Sequence, residues 1–477
     1  MASFKIYREI MPGKGIQIYN LFPRLLGSID AWTSHLERIK EMGFDWIYTN
    51  PLNYPGFSGS LYSIKDFYRF NPAFAPEGAV DPYSWEPLKA FIDACHDRGL
   101  KFMVDLVINH TAVDSELVSE HPDWYKKTNA VVRNLDGHVV FQFPLDEEPP
   151  ADDEYPEDEF TIEERIAHPS AIDPSDDRII TIWGDLAEID HVESTDLENL
   201  LVYWCDLVTF YLDLGIDGFR CDAAYQVPAT TWKSIIDMAR GINPGVVFAA
   251  ETLGCTLPQL KETVSAGFDY IYNSSKYWDF TSPWCPEQYE AFRKFSPSIS
   301  FPESHDTKRL AFETSGREDV QRFRYLFAAF FSSGVMMPIG YEYGFNKAID
   351  VCDTTPADWE SPAFDISDFI GKVNAFKARF RCLNEDGPMK HFEYLNLGIL
   401  VLRKTSLDNM QHLLLVYNKD WNNAQEVTLD SLSYFLDLKA PISRVDIDTE
   451  DVPVEESSWR ATLRPNEHVF FFQEKNS

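Results

Sequence analysis

The stretch Gly215-Ile216-Asp217-Gly218-Phe219-Arg220-Cys221-Asp222 decides the fold. Before it, from about Asp196 to Leu214, apolar residues recur three and four apart, the spacing of an amphipathic helix. At Gly215 the period changes. Ile216, Phe219 and Cys221, with Gly218 too small to clash, predict a short buried strand. Strand side chains alternate, so Arg220 and Asp222 share a face. A guanidinium beside a carboxylate holds its rotamer and favours its ionised form. That arrangement suits an aimed, anionic nucleophile. It also suits a structural ion pair at a strand end.

The same unit recurs outward in both directions. Gly15–Asn20, Asp45–Asn50 and Lys101–Ile108 read as strands before the central one. Gly245–Ala250, Phe268–Tyr272, Ser298–Phe301 and Gly334–Ile339 read as strands after it. Helical stretches such as Ser28–Met42, Ser84–Arg98 and Val320–Ser332 separate them. Strands alternating with helices predict an α/β fold, a parallel (β/α)8 TIM barrel. From Thr111 to Ile180 no period is clean, which predicts an inserted subdomain after strand three. Its acidic run, Pro149 to Glu159, reads as an exposed, solvated loop. Past a helix near 367–383 the pattern turns to period two, in Gly398–Arg403, His412–Tyr417 and His468–Phe472. This predicts a C-terminal antiparallel β-sandwich domain. The expected organisation is a barrel over 1–110 and 194–388, an insert over 111–193 and a β domain over 389–477.

Composition narrows the function classes. A chain of 477 residues is expected to form about two or three domains. With 44% hydrophobic and 14% aromatic residues it folds, and 12 Trp and 22 Tyr make it rich in rings. The net charge of −34 argues against nucleic acid as a partner and is otherwise a solubility feature. Residues 1–10 show no apolar signal stretch, and no apolar run reaches membrane-spanning length. Seven scattered cysteines without a CxxC pair fit reduced thiols, so a cytoplasmic location is expected. No feature of the sequence sets an oligomeric state.

In such barrels chemistry sits at the C-terminal strand ends. Strand three runs Asp105 to Asn109-His110, strand four ends on Arg220-Cys221-Asp222, strand five on Glu251, and strand seven leads to His305-Asp306. Four polar strand ends on one rim favour a site over four separate structural caps.

These segments resemble a known family. Asp105-Leu106-Val107-Ile108-Asn109-His110, Gly218-Phe219-Arg220-Cys221-Asp222, Ala250-Glu251 and Ser304-His305-Asp306 are similar, in order, to the four short motifs of the α-amylase family of retaining α-glucan hydrolases and transglycosidases (glycoside hydrolase family 13). Trp183-Gly184-Asp185-Leu186-Ala187 resembles a further motif near the end of that family's inserted domain. The resemblance implies Asp222 as nucleophile, Glu251 as general acid/base and Asp306 as the residue that binds and distorts the sugar. It implies substrate contacts for His110, His305 and Tyr62, a positioning role for Arg220, and a mainly structural role for Asp105. In this chemistry a carboxylic acid protonates the leaving oxygen while a carboxylate attacks the anomeric carbon, the two being about 5–5.5 Å apart for retention. Glu251 must start protonated. Asp222 and Asp306 are expected to raise its pKa, with Arg220 keeping Asp222 anionic.

Departures from the family pattern fall on the acceptor side. Tyr225 and Gln226 stand where many members have Lys-His, so Tyr225 is a candidate substrate contact. Thr252-Leu253-Gly254 follows Glu251 in place of an aromatic. Glu303 reads as a salt-bridge partner or a further sugar contact. His121-Pro122-Asp123-Trp124-Tyr125 resembles the maltosyltransferases that use maltose-1-phosphate. Trp183, Tyr225, Tyr272, Tyr277, Trp278 and Tyr343 are candidate groove aromatics, each equally suited to a core. The resemblance also offers Asn109 and Asp185 as ligands of calcium. Two oxygens fall short of the six to eight calcium takes, and both residues equally suit backbone hydrogen bonds. The chemistry requires no cofactor, and calcium is the one candidate. The expected activity is retaining hydrolysis of α-1,4-linked glucans or malto-oligosaccharides through a glycosyl-Asp intermediate. The alternatives are transglycosylation by the same residues and a non-catalytic carbohydrate-binding relative, against which the intact carboxylates argue.

Overall fold

Alternating side chains along eight short strands divide one core into two. The computed structural model describes residues 15–145, 155–156, 158–172, 178–437, 439–455 and 457–475. Strands β1 (Gln17–Asn20), β2 (Trp46–Thr49), β3 (Lys101–Leu106), β4 (Gly218–Cys221), β5 (Val247–Ala250), β6 (Tyr270–Tyr272), β7 (Ser298–Ser300) and β8 (Gly334–Pro338) form a closed parallel barrel. Each strand pairs with its sequence neighbours, and β1 closes on β8. Ile18, Trp46, Tyr48, Met103, Ala249, Tyr272, Ile299 and Met336 pack inside the barrel. Their chain neighbours Tyr19, Ile47, Phe102, Val104, Phe248, Ile271 and Val335, together with Phe219 of β4, pack against the surrounding helices. This is the (β/α)8 barrel the sequence predicts.

The parity fixes the site. Gly218 lies in register with Met103 and points inward, so Arg220 and Asp222 do as well. The helix Leu197–Asp213 precedes β4, as the sequence predicts. The predicted Ser28–Met42 helix is a 3-10 turn, Ile29–His35, continued by a short α-helix, Leu36–Glu41. Its start is pulled tight where Ser28 caps Asp30 and the Trp32 indole donates to the Gly27 carbonyl at 3.0 Å.

Between β3 and β4 the chain builds sheets that its sequence pattern hides. His110–Ala112 pairs antiparallel with Leu186–Glu188. Lys127–Asn134 is flanked by Val139–Pro144 and Phe160–Ile166 in a three-stranded sheet. Its core is small, chiefly Ala130, Val132 and Phe143 with Tyr155 and Phe160 against them. Val139, Phe141 and Ile162 stay exposed on these strands, which is why no clean alternation shows. Most of the acidic run 149–159 lies outside the described residues.

The C-terminal sheet has six strands: Met389–Phe392, Ile399–Thr405, Gln411–Asn418, His468–Glu474, Ile442–Val445 and Val452–Val454. Both faces are covered. Leu400, Leu402, Leu413, Leu415 and Phe470 join the core that contains the barrel helices. Ile399, Val401, Leu414, Val416 and Phe471 pack with Val427, Leu429 and Leu463 of the second sheet, Gln425–Leu429 with Trp459–Leu463. Among the described residues no helix is long and apolar enough to cross a membrane.

Gly218 illustrates how tight the barrel interior is. A Cβ there would lie 2.9 Å from the Val247 carbonyl oxygen and 3.0 Å from the Trp46 ring. Neither backbone nor a ring filling the barrel floor can yield cheaply. Gly218→Ala is expected to cost about 1–3 kcal/mol by overpacking. Thermal unfolding of the variant measures this, and a midpoint equal to wild type would show that the barrel yields.

Candidate active site

Register brings the charged residues together at the barrel mouth. Arg220 stands directly beside Asp105 on β3 and beside the small Ala249 on β5. Arg220 Nη1 donates to Asp105 Oδ1 and Oδ2 at 2.8 and 2.9 Å and to Asp222 Oδ1 at 3.2 Å. Its Nη2 lies 3.9 Å from Asp306 Oδ2. Asp105, fully buried, also accepts from the hydroxyls of Tyr48 at 2.5 Å and Tyr62 at 2.7 Å. Asn50 Nδ2 donates to the Tyr62 hydroxyl at 2.9 Å, and Asn20 Nδ2 to Asn50 Oδ1 at 3.1 Å.

Proton counting settles the histidines. Tyr62 gives its one hydroxyl proton to Asp105, so His305 Nε2, 2.7 Å away, must donate to Tyr62. The same nitrogen lies 3.1 Å from Asp306 Oδ2. Burial, followed by the Arg220 charge, pushes His305 down to about 3, so the ring is neutral and Nδ1 is a bare acceptor. His110 Nε2 donates to the Tyr62 carbonyl at 3.1 Å, and burial pushes this ring down to about 4. Both Nδ1 atoms are buried without a protein partner.

Glu251 follows β5 and faces Asp222 across the β4–β5 step. Its Oε2 accepts from the Ala223 amide at 2.9 Å and its Oε1 from the Leu253 amide at 3.0 Å. Burial raises its pKa most; Arg220 opposes this, Asp222 and Asp306 add to it, and the result is about 8. The direction matches the sequence expectation, but burial outweighs the two carboxylates as its cause. Asp222 is tuned more by burial than by Arg220. Burial raises its pKa, and Arg220 offsets only part of that rise. The reason is geometric: Arg220 directs its best hydrogen bonds to Asp105. Asp306 is the open member, its side chain 55% exposed to solvent.

The remaining sequence candidates divide. Tyr225 sits half-buried in the turn Ala224–Gln226, where Asp222 and Glu251 both act on its hydroxyl. Gln226 is tied instead to Asn109, whose amide donates to it at 3.2 Å. Tyr277, more than half exposed, feels Asp306 and Glu251 and so borders the mouth. Trp278 is buried against Phe280, Phe327 and Phe331 and belongs to the core. Tyr272 is also buried, inside the barrel. Glu303 is a salt-bridge partner, accepting from Arg309 at 2.8 Å and from the Leu310 amide at 2.6 Å. Tyr48, Asn50 and Asn20 support the site and were not singled out from the sequence. Inward parity on β1 and β2, carried one residue past the strand end, is the signal that marks them.

The offered calcium pair does not fit one ion. Across the His110–Ala112 ladder, Asn109 stands opposite Ile189 and Asp185 opposite Val113. Four ladder steps separate them, about 13 Å along a strand. Two side chains of that reach cannot bring oxygens within the roughly 5 Å span of two calcium ligands. Asn109 Oδ1 is buried without a partner, but the acid beside this strand is Glu188, opposite His110 and held by Lys126 at 2.5 Å.

Comparisons with known proteins agree with this geometry. The barrel, its insert and the four motifs together resemble one class, the α-amylase-type barrels. Residues 9–131 match the glucanotransferase domain of glycogen debranching enzyme. An α-1,4-glucan:maltose-1-phosphate maltosyltransferase of Burkholderia pseudomallei is 25% identical over 80% of this chain and 30% of that protein. A cyclomaltodextrinase of Geobacillus thermopakistaniensis is 21% identical over 84% of this chain and 64% of that protein. The chain thus spans less than two thirds of the length of either relative. Among solved structures, an α-amylase from Geobacillus thermoleovorans complexed with acarbose superimposes with a TM-score of 0.71 at 17% identity, over 97% of this chain and 99% of that one. An α-amylase from Lactobacillus plantarum gives 0.67 at 20% identity, over 96% and 98%. The chain is similar in sequence to these relatives and in fold to the solved α-amylase barrels, as its motifs imply.

Glu251 gives a stability signature. Folded, it keeps its proton to about pH 8, against an ordinary value of 4.5. Between these values the folded state binds more protons than the unfolded state, so this group's contribution falls as pH rises. Glu251→Gln removes that slope. Its melting midpoint is expected to fall less than wild type's from pH 5 to 8.5, by about 2–4 °C. Parallel midpoints in the two proteins would contradict the assignment.

Proposed function

We propose that this protein is a retaining α-glycoside hydrolase acting on α-1,4-linked glucans or malto-oligosaccharides. The observation that carries the reading is the split between two adjacent carboxyls, one held protonated and the other tied to a guanidinium. Glu251, protonated to about pH 8, is the acid. Asp222 is the nucleophile. Its Oδ1 accepts from Arg220, which leaves Oδ2 for the anomeric carbon. In the first step the Oδ2–C1 bond forms, the glycosidic C1–O bond breaks, and the Glu251 proton passes to the leaving oxygen. In the second step Glu251 takes a proton from water as its oxygen attacks C1 and Asp222 leaves. Two inversions retain the α configuration.

The other residues position the sugar. The bare Nδ1 acceptors of His110 and His305 are available to sugar hydroxyls. Asp306, open to the cleft, accepts hydroxyls of the distorted ring. Tyr62, pinned through its hydroxyl, offers a ring at a fixed angle. The reading needs no cofactor, since two carboxyls supply acid, base and nucleophile. A cytoplasmic location accords with the seven free thiols.

A second reading is transglycosylation by the same residues. It is favoured by the maltosyltransferase relative and by Tyr225 on the acceptor side, where a half-buried ring disfavours water.

A proton NMR time course with maltoheptaose, with and without glucose or phosphate, tests both. Release of shorter α-configured sugars to water is expected. Elongated products, or a rate dependent on acceptor, would replace hydrolysis by transfer. Asp222→Asn is expected to lower turnover at least about 10⁴-fold with an unchanged fold. Wild-type turnover in that variant would remove Asp222 from the reaction. The wild-type rate should decline above about pH 8 as Glu251 loses its proton.

A further inference from the structure

Arg324 is a cation that forms no salt bridge among the described residues. It lies on the helix Glu318–Phe331, with its guanidinium 4.6 Å from the centre of the Phe280 ring. Nη1 donates to the Trp278 carbonyl at 3.1 Å. Among the described residues it has no other hydrogen bond and no salt bridge, so most of its five donors are uncommitted. Burial lowers its pKa, and the charges of Glu313 and Asp279 offset only part of that fall.

Arg324 borders a cavity of about 130 Å³. A space of roughly 150 Å³ takes a molecule the size of benzene. Lys276, its side chain 7% exposed, lines the cavity from the loop after β6 and pairs with Glu313 at 3.2 Å. Trp421 reaches in from the C-terminal domain, and Thr314 adds a hydroxyl. The charged groups on the walls are thus two cations and one carboxylate. Glu313 and Asp279 act on Arg324 only through space. A net positive wall in a chain of charge −34 attracts an anion locally. Of the carboxylates assigned to the reaction, none lines this cavity.

We infer that this cavity is a second binding site, for a small oxyanion held between Arg324 and Lys276. The shared chemistry is a phosphate group, either free or on a sugar. The planar guanidinium fork matches its oxygens, and the ammonium adds a second charge. The site also touches the reaction centre indirectly. Phe301 and Glu313 form its walls from the two ends of one segment, and His305 and Asp306 lie between them. An anion in the cavity would brace that segment from behind. This goes beyond the proposed hydrolysis and stands without it.

Calorimetric titration at constant ionic strength tests the inference, using inorganic phosphate and glucose 1-phosphate in turn. Saturable one-site binding is expected, at least tenfold weaker in Arg324→Gln and several-fold weaker in Lys276→Met. Tighter binding of phosphate would assign the free ion, and tighter binding of glucose 1-phosphate the sugar-borne group. In the Asp222→Asn protein, saturating maltoheptaose should leave the anion's affinity intact. Absence of saturable binding, equal affinity in all three proteins, or displacement by maltoheptaose would overturn the proposal. If circular dichroism shows Arg324→Gln unfolded, Lys276→Met decides alone.

Discussion

The buried pair of Arg220 and Asp105 is the interaction on which the site depends. It follows from register: β3 and β4 place the two residues side by side, both facing into the barrel. Burying an ion pair costs desolvation that the pair alone seldom repays. Here the hydroxyls of Tyr48 and Tyr62 complete the Asp105 shell, so its charge is shared among several donors. Each donor brings a different piece of the mouth with it. Tyr62 carries the loop after β2 and, through its hydroxyl, His305 from the β7 side. Arg220 carries Asp222. One carboxylate that never meets the sugar in the proposed mechanism therefore sets the geometry of residues from four strand ends.

The same pair explains why the mouth is short of positive charge. Asp105, Asp222, Glu251 and Asp306 share one guanidinium, and the two neighbouring imidazoles are neutral. Full ionisation would leave three uncompensated carboxylates in a partly buried space, which the low local dielectric makes expensive. The least costly solution is for one to keep its proton. Glu251 is that one, because it is buried and Arg220 hydrogen-bonds elsewhere. The acid of the proposed mechanism thus arises from a charge deficit set by β3–β4 register, without a dedicated proton donor.

Much of this was legible in the sequence, because period-two and period-3.6 patterns are written by burial. Ile216 to Cys221 could be read as a strand, and parity alone placed Arg220 and Asp222 on one face. The insert was not legible, since a three-stranded sheet with so small a core leaves both strand faces partly wet. Exposed Phe141 and Ile162 then break the alternation on which the reading relies. Partnerships across the chain were hidden for a different reason. That Arg220 favours Asp105 over Asp222 depends on inter-strand register, which no single strand encodes. The misplacement of Asp185 has the same origin: its motif neighbourhood resembles a ligand's, but the ladder sets it four steps from Asn109.

The backbone beside Asp222 shows how Asp222 and Glu251 are coupled. Ala223 adopts φ 39°, ψ 45°, a left-handed conformation that costs a residue with a Cβ about 1–3 kcal/mol. It persists because both sides fix it. The Asp222 amide continues the β3–β4 ladder to the Leu106 carbonyl at 3.1 Å, and the Ala224 carbonyl accepts from the buried Trp232 indole at 2.9 Å. The turn between these anchors aims the Ala223 amide at Glu251 Oε2. A relaxed backbone would point that donor elsewhere and free Glu251 to swing out of line. The strain therefore fixes Glu251 by way of the residue that follows Asp222, so the spacing of the two carboxyls is set by main chain and not by flexible side chains.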